Sequence, residues 1–151
     1  MKTINQWFDE YGESHQNKTN KMIHWLCVPT ILFSIIGILA HFSVLLTALI
    51  VTLTLIFYSR LDLVLAVAMA ALLFIMAWLI LTLPVGVGFY IALFIFAWIG
   101  QFYGHKIEGK KPSFFKDLQF LLIGPIWCMD AYLNKLVPKL KTHARAQMNA
   151  I

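Results

Sequence analysis

The sequence predicts an all-α membrane protein, and three observations predict it. The first is composition. Of the 151 residues, 60% are hydrophobic and 13% are charged, against about 25% charged in a soluble domain. The second is the placement of charge: no Asp, Glu, Lys or Arg occurs from Met22 to Ser59, or from Leu63 to His105. The third is the length of those stretches, 38 and 43 residues. One helical crossing of the hydrocarbon core takes roughly 20 residues, so each stretch holds two crossings joined by a turn.

Taken in chain order, Ile4, Trp7, Phe8 and Tyr11 fall on one face of a helix at 3–14, at the spacing of an amphipathic helix. Trp and Tyr favour the lipid–water boundary, so this helix is expected to lie on the membrane surface. The four crossings are expected near 25–40, 43–59, 63–83 and 86–103. Ala40-His41-Phe42-Ser43 makes the first turn, and Arg60 and Asp62 mark the second. Leu83-Pro84-Val85-Gly86 makes the third, where proline and glycine break helix. Leu118 to Met129 is apolar except for Gln119 and too short to cross. Gly124-Pro125 is expected to break it midway, which fits a re-entrant or interfacial segment. Residues 135–151 form a basic, polar tail, and no repeat divides the chain, so 1–151 reads as a single membrane domain.

The first 21 residues lack an apolar core, so no cleavable signal peptide is expected and the first crossing acts as the insertion signal. Four crossings place all twelve Lys and Arg on one side. Lys2, Lys18 and Lys21 precede the first, Arg60 lies between the second and third, and eight follow the fourth. The positive-inside rule assigns that side, with both termini, to the cytosol: an inner membrane in a bacterium, the endoplasmic reticulum in a eukaryote. The net charge of +5 is that of basic flanks beside anionic headgroups and needs no nucleic acid. Cys27 and Cys128 form no spaced motif and read as small buried hydrophobes. Asn17-Lys18-Thr19 matches a glycosylation acceptor that a cytosolic N-terminus leaves unused. The oligomeric state is left open.

The topology also sorts the five histidines. His15 and His24 precede the first crossing and His105 follows the fourth, on the same side; His41 is in the first turn, a membrane thickness away, and His143 is in the tail. Trp98, Gln101, His105 and Glu108 are offset by three, four and three, which is one helical face. Asn20 and His24 are four apart and share a face. His15 and His24 are nine apart, so they meet only if the chain bends between them; Asn20 is the expected helix cap at that bend. Polar groups gathered at membrane depth cost free energy and mark function, and imidazoles suit iron, zinc and copper. Three His with a nearby Glu fit one Fe(II) with open positions. Any one of these histidines alone reads as a headgroup contact, and Tyr11, Trp25 and Trp98 read as interface anchors or packing.

These residues form a pattern: Tyr11-x3-His15-x4-Asn20-x3-His24-x4-Pro29, then Trp98-x2-Gln101-x2-Gly104-His105-x2-Glu108-x3-Pro112, then Gly124-Pro125. Over about residues 4 to 135 the chain resembles the small membrane 2-hydroxy-fatty-acid dioxygenases, whose founding activity serves phytosphingosine breakdown in yeast. The resemblance implies Fe(II)-dependent α-oxidation: a 2-hydroxy fatty acid and O2 give a fatty acid one carbon shorter. It implies His15, His24 and His105 as the metal ligands, with Tyr11, Asn20, Gln101 and Glu108 as the accompanying site residues. Gln101 and Glu108 are cast as orienting the imidazoles, with direct ligation by Glu108 as the variant. The substrate's carboxylate and 2-hydroxyl would chelate the iron, so no 2-oxoglutarate is expected; Lys106, Lys110 or Lys111 could attract the carboxylate, though any one of them alone reads as part of a solvated basic loop. Two positions depart from the family: Cys27 stands where Gly is usual, and Ser113 where Ala is usual.

Other functions weigh against this one. A membrane di-iron hydroxylase needs about eight histidines in boxes, more than the five here. A zinc-dependent lipid hydrolase remains open. A small transporter or scaffold would carry polar groups within the crossings, whose middles here hold little beyond Ser and Thr.

Overall fold

Four of the described helices begin where a side chain supplies a hydrogen bond that the first turn lacks. The computed structural model describes residues 2–109 and 120–136, which form six helices and no strand. α1, Ile4–Gly12, opens on a capping box: the Thr3 hydroxyl accepts from the Gln6 amide, and the Gln6 side chain accepts from the Thr3 amide. α2, Lys18–Phe42, opens on Asn17, whose side chain accepts from the amides of Thr19 and Asn20. The cap is thus Asn17 rather than Asn20, and α2 starts well before residue 25 because this cap lets helix begin in polar sequence.

The next two junctions are single residues. Ser43 ends α2 and caps α3, Val44–Leu61; Asp62 ends α3 and caps α4, Leu63–Thr82. His41 therefore lies in the last helical turn of α2, its Nδ1 against the Gly37 carbonyl at 2.9 Å, rather than in a turn. After Leu83–Gly86, α5 runs Val87–Glu108 and ends on Gly109, whose φ of 73° is the left-handed cap that glycine adopts without strain. The last helix, α6, runs Ile123–Leu136. Gly124-Pro125 therefore lies in its first turn and breaks nothing, since a first-turn N–H has no intrahelical partner to lose. Leu118, Gln119 and the tail beyond Leu136 lie outside the described residues.

Helices α2 to α5 are the four that are long and apolar enough to cross a membrane. α2 is the hub: it packs antiparallel along α5 and also touches α3, α4 and α6. Three glycines permit the α2–α5 approach. A Cβ at Gly37 would sit 2.2 Å from the Tyr90 ring, one at Gly100 2.6 Å from Cys27 Sγ, and one at Gly104 2.3 Å from Asn20 Oδ1. Lipid is as apolar as the helices, so close packing at small residues drives association there.

α1 and α6 close one end of the bundle. Ile4 of α1, Tyr58 of α3, Leu65 and Met69 of α4, and Ile126 of α6 share one buried cluster. α1 thus turns its apolar face onto α6, with Trp7 edge-on to Phe120. Two tyrosines tie α6 down: Tyr58 donates to the Leu122 carbonyl at 2.6 Å, and Tyr132 donates to the Trp25 carbonyl. The second bond answers a defect. Pro29 lies inside α2 without an N–H, so it leaves the carbonyl four residues earlier, Trp25, without its helical donor.

Candidate metal centre

His15, His24 and His105 come from three separate elements and meet under α6. His15 sits between α1 and α2, His24 in the second turn of α2, and His105 in the last turn of α5. All three are buried, and a ligand atom from each lies within 4.8 Å of the others. Ring centroids are 4.3 Å apart for His15–His24, 4.9 Å for His24–His105 and 5.5 Å for His15–His105.

The ring orientations are set by the backbone. His15 Nδ1 lies 2.6 Å from the Tyr11 carbonyl, and His24 Nδ1 lies 3.0 Å from the Asn20 carbonyl. A carbonyl only accepts, so both Nδ1 atoms carry the proton and both Nε2 atoms present a lone pair. Both Nε2 atoms, and Nδ1 of His105, are buried without a hydrogen-bond partner. Burial chiefly, aided by the nearby His105, lowers the His15 pKa to about 4 against the pull of the Tyr11 carbonyl. His15 is therefore neutral at pH 7, as a ligand must be. Three buried imidazoles, each with an unpartnered nitrogen and with ligand atoms within 4.8 Å of one another, fit a divalent transition metal.

The remaining expected residues surround this triad in distinct ways. Tyr11 stacks on His15, with centroids 4.2 Å apart and planes 11° from parallel. Gln101 and Trp98 line the adjoining cavity. Glu108 does not point at an imidazole: its carboxylate accepts from the amides of Gln16 at 2.8 Å and Asn17 at 2.9 Å, and from Asn20 Nδ2 at 3.0 Å. Asn20 is fully buried, and its Nδ2 also donates to the Ser14 carbonyl at 3.2 Å. Lys106 is exposed at the end of α5, while Lys110, Lys111, Pro112, Ser113 and His143 lie outside the described residues. Cys27 and Cys128 are both free and buried.

The cavity beside the triad has a volume of about 50 Å³, with Val28, Ile31 and Leu32 of α2 on one wall and Phe120, Leu121 and Pro125 on another. Trp127 lies 5.7 Å from His15, centroid to centroid. Sequence reasoning missed this cover from the start of α6; the Gly124-Pro125 pair was its only trace. A larger cavity of about 390 Å³ lies between α2, α3 and α4 at the far end and is lined by apolar residues and threonines, with no titratable group.

A family model described as 2-hydroxy-palmitic acid dioxygenase Mpo1-like matches residues 1–136. The chain belongs to that family. The match takes in all six helices and every residue of the buried triad. No curated protein and no solved structure matches the chain.

Proposed function

We propose that this protein is an Fe(II)-dependent dioxygenase that shortens 2-hydroxy fatty acids by one carbon. The observation that carries the reading is the convergence of three buried imidazoles, each with a partnerless nitrogen, in a chain whose family is described by a 2-hydroxy-palmitic acid dioxygenase. His15, His24 and His105 would hold the metal. Bound there, Fe(II) supplies the one-electron chemistry that O2 needs to react with an organic substrate. The overall change balances without another reductant: 2-hydroxy acid and O2 give the shorter acid, carbon dioxide and water. No 2-oxoglutarate is expected, because the substrate's own carboxylate and 2-hydroxyl would supply the chelating oxygens.

The chain's own residues supply position and dryness. The Tyr11 and Asn20 carbonyls fix the proton on Nδ1 of two ligands, keeping their Nε2 lone pairs turned inward. Tyr11 and Trp127 flank His15, and α6 covers the triad from water. A cavity of about 50 Å³ is far below the roughly 300–1,000 Å³ of a pocket that encloses a whole ligand. It suits the carboxylate end of the substrate, with the acyl chain left among the lipids. Lys106, exposed on the last turn of α5, would draw the carboxylate to this end.

The test is direct. Protein purified anaerobically, given Fe(II), O2 and 2-hydroxypalmitate, is expected to consume oxygen and release the acid one carbon shorter. Stoichiometric zinc with no iron-dependent oxygen uptake would overturn the proposal in favour of a hydrolase.

A further inference from the structure

His15 is the one member of the triad that no helix carries, so something outside its own segment has to hold it. Its two peptide neighbours are both gripped. The Ser14 carbonyl accepts from Asn20 Nδ2 at 3.2 Å, and the Gln16 amide donates to Glu108 Oε1 at 2.8 Å. Asn17, the next residue, donates to Glu108 Oε2 at 2.9 Å, and Asn20 joins the two halves by donating to the same oxygen at 3.0 Å. Glu108 lies three residues beyond His105 on α5, and Asn20 one turn before His24 on α2. The segment bearing His15 is thereby tied to both helices that bear the other two imidazoles. Gly104 leaves the space that buried Asn20 occupies.

We infer that Glu108 and Asn20 are positioning residues, forming a carboxylate–amide clamp that holds His15 at metal-binding distance from His24 and His105. The carboxylate is not a ligand: it stands outside the group of donor atoms that lie within 4.8 Å of one another, which the three histidines alone make up among the described residues. Its oxygens are already taken by three N–H donors at the start of α2, where backbone amides and the helix dipole favour a negative charge. The inference rests on the reading that the triad binds a metal, and Co(II) is used as the probe so that turnover is not needed.

The experiment compares full-length wild type, Glu108→Ala, Glu108→Gln and Asn20→Ala in detergent. In Glu108→Ala, exchange of the Gln16 and Asn17 amides should quicken at least tenfold. Co(II) affinity should weaken about tenfold to a hundredfold, the usual cost of losing a group that orients ligands. The spectrum at Co(II) saturation should stay that of wild type, because the ligand set is intact. Asn20→Ala should behave alike, and Glu108→Gln, which keeps one acceptor oxygen and the side-chain shape, should fall between. A changed saturated spectrum would make Glu108 a ligand and overturn the inference. So would amide exchange and Co(II) affinity within twofold of wild type in Glu108→Ala. If wild type itself binds no Co(II), the metal reading fails, and the exchange rates alone then decide whether the clamp exists.

Discussion

Burial keeps the His15 imidazole neutral near pH 7. Its pKa lies near 4 in the folded chain, against 6.5 for a free imidazole, so between those values the unfolded chain binds a proton that the folded chain refuses. The contribution of His15 to the stability of the metal-free protein is therefore complete above pH about 6.5 and declines as pH falls toward about 4. Thermal unfolding of the metal-free protein across that window should show a falling midpoint in wild type and a flatter profile in His15→Phe; equal slopes would refute a buried neutral His15. The triad makes a second prediction. His15→Ala, His24→Ala and His105→Ala should each lower metal content after anaerobic reconstitution at least tenfold, while His41→Ala, at the far end of α2, leaves it unchanged. Wild-type metal content in all three triad variants would sink the site. The histidines were legible from the sequence because topology alone puts their positions at one end. The part played by Glu108 was not, since contacts with Gln16 and Asn17 across 92 and 91 positions follow from how α5 ends beside α2.

At the level of elements, two devices set the geometry of α2. The first is the pairing of Pro29 with Tyr132. Tyr132→Phe removes the donor to the part-buried Trp25 carbonyl and should cost about 1 kcal/mol, the net contribution of a typical hydrogen bond. Pro29→Ala restores a backbone donor to the same carbonyl, so the tyrosine substitution should cost much less in that background; additive effects in a double-mutant unfolding cycle would refute the pairing. The second device is the glycine seam. Gly104→Ala places a Cβ 2.3 Å from Asn20 Oδ1 and should destabilise by about 1–3 kcal/mol, the range for overpacking. Gly88→Ala meets nothing within 4 Å and should be neutral or stabilising by up to about 1 kcal/mol. The Gly100-x3-Gly104 spacing was open to inspection in the sequence, as was the Thr3-x2-Gln6 capping box. The partners that each glycine admits were not, because they come from the other helix.

Taken whole, the described residues form four lipid-length helices with the three buried imidazoles gathered at one end. Exposed Leu, Ile and Phe side chains cover α3, α4 and α5, as expected of helices in contact with lipid. The distribution of Lys and Arg predicts that this end faces the cytosol. A cysteine at exposed Arg60 should then resist a membrane-impermeant maleimide in intact cells, while one at exposed Pro84 should react. The reverse pattern would invert the orientation. Cys27 and Cys128 are both buried and should add little background.

Charge-free runs of 38 and 43 residues determine by themselves that four helices form, because lipid offers no partner for an open backbone and only apolar side chains can face it. They also determine that His15, His24 and His105 share an end, since an even number of crossings returns the chain to its starting side. Only the tertiary structure decided how the imidazoles meet: which nitrogens are left free, that α6 covers them, and that Glu108 and Asn20 reach the peptide groups around His15. Those outcomes depend on hydrogen bonds and close approaches between residues far apart in the chain, which periodicity and composition do not encode.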